Sequence, residues 1–143
     1  MRLQVLLLAI AMPSVGLTDG LTNIEATKQM CAQAAAKFAS AEPENAYTAL
    51  VPYWPLAKEE IQNLGYQTKT QLGMVGDRFG APIGAEHVKT TLAGQSLVKH
   101  VFLIKHEKHA MRFSCVFYKP KNEWLVNAVV WDDKPHNLFG DEG

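Results

Sequence analysis

Five histidines and two cysteines are the side chains best suited to chemistry in this sequence. Cys31 and Cys115 read first as a disulfide, the usual fate of a cysteine pair in an exported chain. Closing so long a loop would stabilise the fold by about 4 to 5 kcal/mol in the chain-entropy model, less any strain. The rival reading makes Cys115 a nucleophile that gives its proton to His100, its neighbour across the sheet in the register derived below. That reading requires a reachable thiol and a third group to orient the base. His106-Glu107-Lys108-His109 superficially suggests metal binding. Zinc-protease helices, however, place two residues between the Glu and the second His, and a structural zinc site needs four ligands. The segment therefore reads as a solvated hairpin tip, with no metal and no cofactor assigned. His100 or His87 with Asp132 forms the candidate acid and base of a hydrolase or isomerase, against the plain reading of polar residues at sheet ends. Tyr53, Trp54, Trp124 and Trp131 either line an apolar ligand pocket or belong to the core. His136 lies in a tail of turn formers and has no expected role.

These groups need elements to hold them. Thr22-Asn23-Ile24-Glu25 has capping-box spacing, with Thr22 as the cap, so a helix starts there. Ile24, Thr27, Cys31, Ala34, Ala35 and Phe38 share its apolar face. Pro43 opens a short second helix that buries Ala46, Tyr47 and Leu50, and Pro52 ends it. Ile61, Leu64, Thr68, Leu72, Val75 and Phe79 then recur at helical spacing. Gly65, Gly73 and Gly76 weaken that segment by about 1 kcal/mol each, so a break near Gly65 or an early end near Gly73 stays open. Gly80, Pro82 and Gly84 mark a linker.

From Ala85 the period changes from helical to alternating, with runs at about 85–93, 96–106, 110–118 and 123–132. Short connections make this an antiparallel meander. A two-residue loop at Glu107-Lys108 sets His106 opposite His109 and pairs Ile104 with Met111, Phe102 with Phe113, His100 with Cys115 and Val98 with Phe117. One residue of slip would scramble that face. In the last strand Trp124, Val126, Ala128 and Val130 make the better inward set, with Leu125, Asn127, Val129 and Trp131 as the alternative. The opposite face carries Leu97, Val101, Leu103, Val116 and Tyr118. Val101, Leu103, Val116 and Tyr118 are accordingly interface candidates, to be covered by segment 56–79 or by a second molecule.

Composition bounds the rest. The 143 residues are 48% hydrophobic and 20% charged, with 14 basic and 14 acidic side chains. That balance gives no field to attract nucleic acid. Arg2, the apolar run Leu3 to Ala11 and the small residues Ser14 and Gly16 follow signal-peptide order. Cleavage after Gly16 is expected, with residues 17–143 forming one α+β domain in the periplasm or medium. The apolar run is about half the 20 residues of a spanning helix, so no stable membrane anchor is expected.

Helices followed by a long antiparallel meander, with Tyr47 to Trp54 reading Tyr-x-x-Leu-Val-Pro-x-Trp and Trp124-Leu-Val near the end, resemble the cystatin-like and nuclear-transport-factor-2-like α+β group, and within it small secreted proteins of Gram-negative bacteria. The resemblance implies helices packed on a four-stranded cone-like sheet and a habit of dimerising or of holding ligands between the layers. It carries no catalytic residue onto this chain. The expected function is therefore a non-catalytic exported domain that binds a protein partner or an apolar small ligand, with homodimerisation through the sheet left open. The alternatives are a cone-fold hydrolase or isomerase and a secreted inhibitor or immunity-like protein.

Overall fold

Asn23, not Thr22, caps the first helix: its extended backbone aims the side-chain oxygen at the amide of Ala26, 2.7 Å away. Asx side chains make this bond at least as well as threonine, and the helix simply starts one residue later than the capping box implies. The computed structural model describes residues 20–140, so the expected export segment 1–16 and its cleavage point lie outside the described residues. Helix α1, Ile24–Phe38, buries Thr27, Met30, Cys31, Ala34, Ala35 and Phe38. Helix α2, Asn45–Leu50, buries Ala46, Tyr47 and Leu50, and Pro52 is absorbed into a 3-10 turn over Val51–Tyr53 that continues it.

Helix α3, Lys58–Phe79, runs unbroken through all three glycines. Gly65 has a packing reason: a Cβ there would stand 3.2 Å from the carbonyl oxygen of Glu44, so its absence lets α3 lie close to the chain entering α2. Only Ile61, Gly65, Thr68 and Phe79 of α3 are buried, and Leu64, expected inward, is exposed. Gly80, at φ 77°, then turns the chain toward the sheet in a conformation that favours glycine.

The strands β1 (Pro82–Ala93), β2 (Leu97–His106), β3 (Ala110–Tyr118) and β4 (Leu125–Asp132) form one antiparallel sheet in sequence order. The arrangement is α+β, with the helices N-terminal to the meander. Between β2 and β3 the pairs are Val98 with Phe117, His100 with Cys115, Phe102 with Phe113 and Ile104 with Met111, as the hairpin argument requires. These side chains face the helices and form the core with α1 and α2. Cys31 and Cys115 are bridged, Cα to Cα 5.9 Å, which ties the middle of α1 to the middle of β3. The bridge removes the thiol on which a Cys115 nucleophile would depend.

Neither single register of β4 survives. Val126 pairs with Phe117, a bulge follows, and then Val129 pairs with Cys115 and Trp131 with Phe113. One extra residue reverses the phase, so Trp124, Val126, Val129 and Trp131 serve the core while Val130 turns out, 52% exposed. The outer face is also covered differently from expectation. Helix α3 bonds the inward residue Trp131 and so lies on the inner side. The tail after β4, a 3-10 turn over Pro135–Leu138, folds back across the outer face instead, and Lys89 donates to the carbonyl of Gly140 at 3.3 Å.

Candidate functional site

A cleft of about 560 Å³ opens between α3 and β4. Leu64, Gln67, Thr68, Gln71, Val75 and Phe79 line it from the helix, and the consecutive residues 129–132 of the strand, with Asp133 just beyond it, line it from the other side. A strand touching a cavity through consecutive rather than alternate residues meets it along its edge, not its face. The backbone of β4 pairs only with β3 among the described residues, so this edge is free. The floor of the cleft is polar. The Trp131 indole N–H donates to Thr68 Oγ1 at 3.2 Å, and the Thr68 hydroxyl donates to the Tyr47 oxygen at 2.9 Å. Burial raises the Tyr47 pKa above its ordinary value, so the phenol stays protonated. Its hydroxyl lies at the floor of the cleft.

The histidines are used elsewhere. Thr27 spends its proton on the carbonyl of Ile24, 2.6 Å away, so toward His100 Nε2, 2.8 Å away, it can only accept. His100 therefore carries its proton on Nε2 and accepts at Nδ1, where Thr90 must donate across 2.8 Å. Thr90 in turn accepts from His87 Nε2 at 3.0 Å. The chain His87 to Thr90 to His100 to Thr27 to Ile24 thus has one direction. It fastens β1 and β2 to the first turn of α1. Burial, then the nearby charges of His87 and Lys28, push the pKa of His100 down to about 4, so the ring is neutral at ordinary pH. His87 is lowered too, chiefly by burial.

Asp132 takes no part in that network. Arg112 holds it through two bonds, 2.5 and 3.2 Å, and this contact together with the amide of Lys134 outweighs burial and keeps its carboxyl below the usual range. His100 faces α1 while Asp132 pairs with Arg112, so the expected acid and base are not brought together. Nor are the four aromatics. Trp131 lines the cleft, Trp54 and Trp124 are buried in the core, and Tyr53 borders a separate depression beside Ala26 and Met30. Of the interface candidates, Val101 is buried beneath the tail, Leu103 and Val116 are half-buried, and Tyr118 is exposed. Among the described residues no three His, Cys, Asp or Glu side chains converge on a metal-sized site, and no helix is long and apolar enough to cross a membrane.

Sequence reasoning placed Tyr47 and Thr68 in the core by their spacing and missed Gln67 and Gln71. The signal available was the two carboxamides one turn apart beside an apolar stripe, but only the position of β4 gives them a meaning. Comparison with family models, curated proteins and solved structures finds no match to this chain.

Proposed function

We propose that this chain is an exported, non-catalytic binding module that receives an extended segment of a partner polypeptide in the cleft between α3 and β4. The observation that carries the reading is the free edge of β4 bordering an open cleft, with no charged side chain from Leu125 to Trp131 and with the acids Asp132, already paired with Arg112, and Asp133 only at its far end. Edge strands are ordinarily guarded by charge, proline or a strong bulge. Strand β1, the other edge, has all three devices in Pro82, Glu86, Lys89 and the irregularity at Val88. The bulge of β4 lies before the stretch that lines the cleft. A polypeptide laid beside β4 would find backbone partners along one side and the carboxamides of Gln67 and Gln71 along the other, with the Tyr47 hydroxyl at the floor.

His100 has neither a proton nor a lone pair left for a substrate, which supports binding over acid and base chemistry at that residue. The disulfide supports an oxidising compartment, and with the signal-peptide order of residues 1–16 we place the chain in the periplasm or medium. We read the architecture as cystatin-like or nuclear-transport-factor-2-like, a group in which the space between sheet and helices is put to use.

Titration with a Lys-flanked peptide of alternating Val and Thr tests the reading. The outward amides of β4 become protected from hydrogen exchange, and Gln67→Ala/Gln71→Ala weakens the peptide several-fold without moving the melt. A peptide that leaves those amides unprotected, while an apolar dye such as 1-anilinonaphthalene-8-sulfonate fills the cleft, would replace strand addition by a small-molecule pocket.

A further inference from the structure

The outer face of the sheet holds a further cavity, which meets the cleft only at Val130 and whose occupant does not depend on the peptide reading. Lys89, Val101, Ser114 and Val130 lie side by side across the four strands. Lys99 flanks this row on one side and Arg112 on the other, and Asn137 and Leu138 of the returning tail roof a space of about 290 Å³. Three cations thus border one small cavity whose remaining walls are mostly apolar.

Their charges are poorly matched. Arg112 is satisfied by Asp132. Lys89 has only the carbonyl of Gly140, and Lys99 has no acidic partner among the described residues. Glu86, the other acid on this face, sits beyond Leu103 and pairs with neither lysine. Burial, and then the charges of Lys89 and Arg112, hold the Lys99 ammonium below its ordinary pKa, as expected of a cation crowded by its own kind. Gathering like charges at a partly covered site works against folding, and an anion received there relieves the repulsion.

We propose that this cavity binds a small amphipathic carboxylate, its head between Lys89 and Lys99 and its hydrocarbon body against Val101, Val116 and Leu138. The guanidinium of Arg112 is already occupied by Asp132, so the head rests on two ammonium point charges, which a carboxylate meets with a single negative charge. Octyl phosphate titrated beside octanoate tells the two head groups apart, and tighter binding of the phosphate would replace the carboxylate as the occupant. The apolar walls require a hydrocarbon body, which a bare anion lacks.

Amide shifts of the full chain, titrated with octanoate, test this. Shifts centre on Lys99, Ser114 and Val116, acetate and octyltrimethylammonium bind at least tenfold more weakly, and added salt weakens octanoate. Lys99→Gln and Lys89→Gln each weaken octanoate at least tenfold. Lys99→Gln relieves repulsion and melts no lower than the native chain, and should it fail to fold, Lys89→Gln carries the same test. Gln67→Ala/Gln71→Ala leaves octanoate binding unchanged, which separates this site from the cleft. Unchanged binding in both lysine variants, or acetate binding as tightly as octanoate, overturns the proposal. So does a response that emerges only in Asp141→Asn/Glu142→Gln, which would assign the cations to the chain's own acidic residues.

Discussion

Acidification should destabilise this fold through His100 in a defined window. The imidazole is wholly buried and neutral, with a folded pKa of about 4 against an ordinary 6.5. Between those values the unfolded chain binds the proton and the folded chain does not, so stability falls as pH is lowered through the window. Integrating the difference gives a loss of about 2 kcal/mol by pH 5 and about 3 kcal/mol by pH 4, relative to pH 7. His87 and His106, lowered chiefly by burial, act in the same direction with smaller weight. His100→Gln keeps a donor and an acceptor and cannot titrate, so its stability is lower at pH 7 but varies less with pH. Urea unfolding of both proteins at pH 7, 6, 5 and 4 isolates the contribution as the difference between the two pH dependences. Parallel curves would refute the assignment. If the variant does not fold, the nitrogen shifts of His100 in the native protein serve instead: Nε2 protonated at pH 7, with no titration above pH 5. A ring protonated on Nδ1, or titrating near 6.5, would break the one-way hydrogen-bond chain from which the neutral state follows.

Replacing the bridge by Cys31→Ala/Cys115→Ala should cost about 4 to 5 kcal/mol for a loop whose ends are 84 residues apart, read from denaturant melts with no reductant present. In α3, Gly73→Ala and Gly76→Ala meet open space and should each stabilise by about 0.5 to 1 kcal/mol. Gly65→Ala should gain none of this, because its methyl would press on the Glu44 carbonyl, and an equal gain at all three positions would refute the close approach of α2 and α3. Thr68→Val should cost about 1 to 3 kcal/mol by leaving the buried Tyr47 hydroxyl and the Trp131 indole without their partner, and it should alter Trp131 fluorescence.

The pairing of β2 with β3 was legible because it depends on nearby residues alone. A two-residue loop at Glu107-Lys108 leaves one register that keeps Phe102, Ile104, Met111, Phe113 and Phe117 on a common face, and any slip exposes them all. The bridge followed from the same pattern, since α1's periodicity and β3's alternation both turn a cysteine inward. The inward faces of α1 and α2 were legible for the same reason. The bulge in β4 was not, because apolar residues fill both phases from Trp124 to Trp131 and alternation cannot choose between them. It took the demands of two neighbours, Phe117 on one side of the bulge and Phe38 with Phe113 on the other, to give each half of the strand its own phase. The continuity of α3 was likewise decided by packing: three glycines argue locally for a break, and contacts at Ile61, Gly65, Thr68 and Phe79 outweigh them. The cleft belongs wholly to tertiary structure, because its floor joins Thr68 to Trp131 across 63 residues and no local pattern encodes that meeting. The outer cavity is decided in the same way, since Lys89, Lys99 and Arg112 come from three strands and become one site only when the sheet sets them side by side and the tail closes over them.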